Sequence, residues 1–478
     1  MDSPAGSRSR ARSSRYRRSR FGFRRLLGLV LLAVVVGGFG ALAYRTAGFL
    51  SGVARVDNPL QVIEPAQGTI AWKLKHGQQV NVLLLGYGGV ENDAPYLTDS
   101  MVVLSVDPAS KRVAEVSIPR DLMVGIDAWP DHHLLPQKIN VAFSVGVDDA
   151  TWTKKRPEFT RQRDAGGKLA EQSVSTATGL QFDGYVAVDF KAFRDLVNAL
   201  GGVDICLDTP LDDTQYPNYN NGYIRGGIHF PTGCQTVDGE KALELARSRH
   251  ATQPEQASDF GRARRQQLLI NAIRKKATSV NALAKAPQLM DALQKNFRTD
   301  LGLADLKAVY DWSGKLPDTA INRVSITDTD LVDGYFMRKG SCGDFYAYVL
   351  CAQDPSFKVM HSYFGNLFLD PDLLKEAAPV ELDNASLTVN DLGPRVTSSV
   401  RQLGLKVSDP IRGRADPHSV VYDYSGGKYP LTAKWLADFF GATVVTPASG
   451  GPAPAGTASQ GLVVVLGSDF ARRWLGQA

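Results

Sequence analysis

Nineteen consecutive uncharged residues, 26–44 (LLGLVLLAVVVGGFGALAY), constrain this chain more than any other feature. Wound as a helix they span about 28 Å, close to the ~30 Å hydrocarbon thickness of a bilayer. Such a run is expected to cross a membrane once, so the chain is not a single water-soluble body. Residues 1–25 carry nine arginines against one acid, Asp2, a local charge of +8. Arginines on one flank keep that side in the cytoplasm and send the remainder outside. A cleaved signal peptide would have a shorter apolar run and a small-residue cleavage site. Here the run is long and Arg45 follows it, so an uncleaved anchor is expected.

The whole chain carries +5, and +5 less +8 leaves −3 on residues 26–478. The body is therefore net acidic, and its basic character belongs to the tail. The tail is Ser/Arg-rich, has little to bury, and is expected to be disordered. It abuts the membrane, where anionic lipid is a simpler partner than nucleic acid, so no nucleic-acid binding is expected. With 478 residues, two or three domains are expected. Four cysteines outside the cytoplasm suggest two disulfides. Three pairings are possible, and chain order favours Cys206–Cys234 and Cys342–Cys351. No CxxC spacing supports a zinc site.

After a stalk over 45–77, residues 80–85 run apolar without alternation, as a centrally buried strand does. Residues 101–106 and 112–117 read as a hairpin around the turn residues Asp107-Pro108-Ala109-Ser110. Strands at 184–188 and 203–207 flank an amphipathic helix over 190–200 that stops at Gly201-Gly202. Helices follow at 238–246 and 261–279. This mixture fits a three-layer α/β/α or α+β domain with a mixed sheet over 78–370. A smaller α/β unit is expected over 379–474, with strands at 380–382, 420–424, 442–446 and 462–466 and helices at 396–403 and 431–440. A Pro/Gly/Ala/Ser stretch, 447–460, interrupts it as a loop.

The chemistry-bearing residues fall in clusters. Thr98-Asp99-Ser100 and Pro119-Arg120-Asp121 stand at the ends of adjacent strands, where side chains meet a cleft. Pro119 ends its strand and exposes Arg120. Arg247-Ser248-Arg249-His250 follows a helix. If that segment is extended, Arg247 and Arg249 point the same way and make a two-pronged cation suited to a diphosphate. Asp259, Arg262 and Gln266 share one helical face beside Arg265. Lys138-Ile139-Asn140 adds a cation and an amide. Asp93 and Asp99 are candidates for a divalent ion of the kind that takes one or two carboxylates plus phosphate oxygens. Gly86-Tyr87-Gly88-Gly89 lets backbone approach a phosphate but lacks the Gly-Lys-Ser/Thr of a P-loop. Each cluster alone reads equally well as an ordinary turn, cap or solvated basic edge. His132, His133 and His250 are read as surface or structural residues. Together the clusters describe pyrophosphate chemistry, which requires charge neutralised on phosphate oxygens and on the leaving group.

TDS, SIPRD, KIN, RSRH and DxxRxxRQ occur here in the order found in LytR-CpsA-Psr proteins, and GYVAVD (184–189) and ALGGVD (199–204) are also similar to that family. The resemblance covers roughly 80–370. Residues 380–470 resemble the LytR C-terminal domain through less specific motifs. The resemblance implies a phosphotransferase that moves a glycan phosphate from a polyprenyl-pyrophosphate carrier to peptidoglycan. It implies a hydrophobic pocket for the carrier beneath the arginines. Arg120, Lys138, Arg247, Arg249, Arg262, Arg265 and Gln266 would grip the pyrophosphate, and Asp99 would bind Mg²⁺ or Mn²⁺. Asp259 would orient arginines or assist removal of the acceptor's proton. Many members carry an Asp soon after the first strand's glycine, where this chain has Tyr87, Gly88 and Gly89; Asp93 is then the substitute ligand. Two alternatives stay open: hydrolysis of the pyrophosphate to water, and a non-catalytic membrane-bound regulator of envelope genes.

Overall fold

The computed structural model describes residues 65–474, apart from 91, 93, 219–221, 387–391, 413, 448–460 and broken stretches within 258–296 and 303–348. The tail and the apolar run 26–44 lie outside the described residues. Among the described residues, no helix is long and apolar enough to cross a membrane.

The central sheet has six strands: β1 (Val80–Tyr87), β2 (Thr98–Asp107), β3 (Arg112–Ile118), β4 (Gly184–Asp189), β5 (Phe297–Thr299) and β6 (Ile321–Ser325). Their spatial order is β5-β4-β1-β2-β3-β6. The sheet is mixed, as expected: β4 is parallel to β1, β6 is parallel to β3, and the other pairs are antiparallel. The β2–β3 hairpin turns where Asp107 accepts the Ala109 amide at 3.1 Å, an Asx turn.

β1 is buried on both faces because its apolar residues serve two cores. Val80, Val82 and Leu84 face one core; Leu83, Leu85 and Tyr87 face the other. The Tyr87 face is covered by α1 (Val141–Val147) and α2 (Ala165–Thr178), the Val82 face by α3 (Phe190–Ala199) and α4 (Gly239–Arg247). Of the two architectures expected, this is the three-layer one. α1 and α2 touch through glycines: a Cβ on Gly146 would stand 2.5 Å from the Ala165 carbonyl oxygen. That leaves no room for a side chain at the crossing.

Two boundaries differ from expectation. Residues 70–75, read as stalk, form a helix capped by Thr69. Ile70 is buried in the core and the Ala71 amide donates to Asp305 at 2.9 Å, so the folded body starts before residue 78. The C-terminal strands and helices fall close to where the sequence puts them, in a five-stranded sheet ordered 411–412, 380–384, 462–466, 420–423, 443–445. This unit is not separate from the first. Val396 and Val400 share one core with Val324 and Tyr363. Gln402 accepts the Ser325 amide and the Asn322 side-chain amide, both at 2.7 Å, along the outer edge of β6.

Cys206 and Cys234 form a disulfide between directly paired residues of the 203–207 and 233–237 strands, as chain order favours. Cys351 is also disulfide-bonded; Cys342 lies outside the described residues.

At the end of β4 remote from Asp189, Glu171 of α2 meets Asp300 and Asp183. Burial, reinforced by Asp300, pushes its carboxyl up to about 8 from 4.5, and one of its oxygens is buried without a hydrogen-bond partner. The folded state keeps this proton where the unfolded chain releases it, so stability falls as pH rises from about 4.5 to 8. Glu171→Gln should flatten that part of the stability–pH curve, measured as urea midpoints. It should leave the variant more stable than the parent above pH 8. An unchanged slope would contradict the assignment.

Candidate active site at the sheet edge

The chain directions bring the C-terminal ends of β1, β3, β4 and β6 and the N-terminal end of β2 to one edge of the sheet. The motif clusters of 98–100, 119–121 and 138–140 meet there and are stitched together by backbone. The Thr98 amide donates to the Asn140 carbonyl, and the Asn140 amide donates to the Arg120 carbonyl, each at 3.3 Å. Lys138 ends the second strand of a hairpin, Met123–Ile126 with Leu135–Lys138, that begins just after Asp121.

Asp99 owes its exposure to a bulge. Ser100 pairs with Gly86 and Thr98 with Tyr87, which leaves Asp99 unpaired between them. Bulges re-aim side chains at strand ends. Arg120 forms an ion pair with Asp99 and reaches Asp121 at 3.4 Å; Lys138 holds the other Asp121 oxygen at 2.6 Å. Burial works against the Arg120 charge, but Asp99 and then Asp121 outweigh it and raise its pKa. Arg120 and Lys138 therefore sit at this edge as fixed cations balanced by two carboxylates. Asp121, which the sequence places in this cluster without a role, joins the two cations.

Arg247 arrives from the other side of β1. It is the last residue of α4, so the extended two-pronged arrangement is corrected: the helix runs through Arg247 and the chain turns at Ser248. The guanidinium packs against two rings, with Cζ 4.7 Å from the Phe190 centroid and 5.6 Å from that of Tyr216. It also donates to the Tyr216 hydroxyl at 3.4 Å. No carboxylate among the described residues pairs with it. Phe190 directly follows Asp189 at the end of β4, which places Arg247 at the same sheet edge as Arg120. Arg249 lies beyond the turn with its side chain exposed.

Arg265 does not belong to the exposed site. It is 1% exposed. Its donors go to the Leu245 carbonyl at 2.9 Å, the Ser248 carbonyl at 2.5 Å, and the Gln256 carbonyl and side-chain oxygen at 2.7 and 3.0 Å. It holds the end of α4 from beneath. Asp93, Asp259, Arg262 and Gln266 lie outside the described residues.

Asp189, the last residue of GYVAVD, is given no role by the sequence. It caps α3 by accepting the Ala192 amide at 2.7 Å. Gly89, at φ +79°, lies against it: a Cβ there would be 3.0 Å from the Asp189 Oδ2. Beneath this contact, burial and then Asp189 push Tyr87 up to about 12, while the nearby Arg298 charge opposes the shift.

No group of three or more His, Cys, Asp or Glu that could hold a metal occurs among the described residues. The oxygens at the edge include the carboxylates of Asp99, Asp121 and Asp189 and the Asn140 side-chain oxygen, the last buried without a hydrogen-bond partner. Such a dispersed hard-oxygen set fits a divalent cation such as Mg²⁺ or Mn²⁺ that takes one or two protein oxygens, and does not fit a closed protein cage.

A profile of the LytR_cpsA_psr family matches residues 53–344. The chain belongs to the LytR_cpsA_psr family. Among its relatives, an Oceanobacillus iheyensis protein named polyisoprenyl-teichoic acid–peptidoglycan teichoic acid transferase TagU is 30% identical over 283 residues, 59% of this chain and 77% of that protein. A Bacillus subtilis protein with the corresponding name, TagV, is 29% identical over 237 residues, 50% of this chain and 53% of that protein. The solved structure of B. subtilis TagV aligns with a TM-score of 0.40 at 23% identity, over 60% of this chain and 96% of that one.

Gly89→Ala tests the loop against Asp189. The left-handed backbone and the close carboxylate should together cost about 1–3 kcal/mol in unfolding free energy. A change under about 0.5 kcal/mol in denaturant titration would mean the loop is not held against Asp189.

Proposed function

We propose that the chain transfers a glycan phosphate from a polyprenyl-pyrophosphate-linked precursor to peptidoglycan, acting outside the membrane in which residues 26–44 anchor it. That it is an enzyme of the transferase class follows from its family, whose named relatives are transferases. The observation that carries the reading is Arg247: a permanent cation with no carboxylate partner among the described residues, braced on Phe190 and Tyr216 at the sheet edge that also carries Arg120 and Lys138. A guanidinium so placed offers its edge to phosphate oxygens.

In this reading an acceptor hydroxyl of peptidoglycan attacks the phosphorus that bears the glycan. A new P–O bond forms, and the bond to the bridging oxygen of the pyrophosphate breaks. Polyprenyl phosphate leaves with the bonding pair, and the hydroxyl proton passes to a base, for which Asp259 is the candidate. Arg247, Arg249 and Arg262 with Gln266 would hold the two phosphates, and Arg120 and Lys138 would neutralise the charge that builds on the leaving group. Asp99, with Asp93, would hold Mg²⁺ or Mn²⁺, which neutralises non-bridging oxygens when bound. Residues 379–474 are read as a LytR C-terminal-type domain.

The test uses the detergent-solubilised chain, a polyprenyl-pyrophosphate-linked glycan, Mg²⁺ and peptidoglycan. Polyprenyl phosphate should appear together with glycan-labelled peptidoglycan, and release should depend on the acceptor. Arg247→Ala and Arg120→Ala should each lower kcat/KM by about 10²–10³-fold. Release without acceptor favours hydrolysis, and no release by the parent chain overturns the reading.

A further inference from the structure

We propose that Asp213 is a positioning residue for phosphate recognition, setting the turn that carries Arg247 and Arg249; the inference rests on the transfer reading above. Asp213 ends the short strand Leu211–Asp213 and is 0% exposed. Its Oδ2 accepts three donors from one turn: the Ser248 hydroxyl at 2.6 Å, the Arg249 amide at 3.2 Å and the His250 amide at 3.1 Å. Its Oδ1 accepts the Gln215 amide at 3.0 Å, which ties the carboxylate to its own strand end. Three residues on, Tyr216 lays its ring and hydroxyl against the Arg247 guanidinium. One segment, 213–216, thus fixes both the backbone of the turn and the side chain of its first arginine.

Arg265 completes the clamp with the opposite polarity. The final carbonyls of a helix lack intrahelical donors, and a cation there satisfies them. Arg265 takes the Leu245 and Ser248 carbonyls from one side, and Asp213 takes the N–H groups that follow from the other. Two charged groups thereby hold residues 245–250 without contributing to the exposed site. The division of labour has a chemical consequence. Since the Arg249 and His250 amides are bound to Asp213, this turn cannot grip a phosphate through its backbone as a glycine-rich nest does. Recognition falls to the guanidinium groups, whose directions the clamp sets.

The experiment is a double-mutant cycle on the full chain with Asp213→Ala and Arg247→Ala, read as kcat/KM for the lipid-linked substrate and as inhibition by inorganic pyrophosphate. Asp213→Ala should lower kcat/KM and weaken pyrophosphate inhibition by about tenfold each. In the Arg247→Ala background it should add less than about threefold, because residues that act through one shared turn couple and independent ones do not. Losses that multiply would overturn the proposal, since they would assign Asp213 a general structural role. Where Asp213→Ala does not fold, Ser248→Ala replaces it in the cycle. It removes one of the three bonds and should show the same coupling at about two- to fourfold. A parent chain that neither transfers nor is inhibited by pyrophosphate would instead overturn the transfer reading itself, which separates the two failures.

Discussion

The structure depends on β1 lying between a parallel neighbour and an antiparallel one. Parallel pairing with β4 requires a crossover, which α1 and α2 supply, and it brings the C-terminal ends of both strands to one edge. Antiparallel pairing with β2 brings the start of that strand to the same edge, and the β2–β3 hairpin returns the end of β3 there. With strands about 4.8 Å apart, the edge from β4 to β3 spans about 15 Å. That is enough to seat a pyrophosphate with the first units of what it links. β1 can hold this position because all its residues except Gly86 are buried, and a strand buried on both faces has no solvent side toward which it could slip.

Four arginines described near this edge are alike in charge and differ in what satisfies them. Arg120 is met by Asp99 and Asp121, so an incoming anion must compete with carboxylates that already neutralise it. Arg247 is met by two rings and a hydroxyl, which brace it without neutralising it. Arg265 is met by carbonyls in the interior. Arg249 lies exposed past the turn. Aromatic support preserves the positive potential that a phosphate meets, and carboxylate support fixes direction at the expense of potential. A site that pairs the two suits a reaction in which one phosphate must be bound firmly and the other released.

Much of the fold was legible because it is written in local patterns. The run at 80–85, apolar except for Asn81, the Asp-Pro-Ala-Ser turn and the Gly201-Gly202 stop each have one physical reading, and the described strands and helices fall close to the expected bounds, while most of the helix expected over 261–279 lies outside the described residues. The site was legible as motif clusters, but the assignment of roles within them was not. Spacing cannot tell that Arg265 turns inward while Arg247 stays at the surface, because the difference lies in Gln256 and Tyr216, neither of which belongs to the same helical face. Asp213 is 35 residues from Ser248 in the chain, and nothing local marks it as that turn's acceptor. Residues 70–75 read as stalk because their burial comes from contacts such as Asp305, 234 positions away. Long-range pairing of polar groups is the part of the structure that periodicity does not encode.

The C-terminal unit bears on the site through the opposite side of the sheet. An unpaired strand edge exposes a row of N–H and C=O groups and invites pairing with other chains. The outer edge of β6 has its Ser325 amide satisfied by Gln402, and Asn322 donates to the Gln402 carbonyl from the same strand. The helix that provides Gln402 belongs to the C-terminal unit, and its apolar face continues the core that lies behind Tyr87 and Phe143. Tyr87 and Phe143 lie 5.0 Å apart directly beneath the glycine loop and Asp189. Packing of the last hundred residues is therefore continuous with the layer on which the candidate site rests. Protein interiors are close-packed and transmit volume changes, so that layer and the C-terminal unit share one mechanical fate. The two units meet as halves of a single core and differ in this from modules joined by a linker.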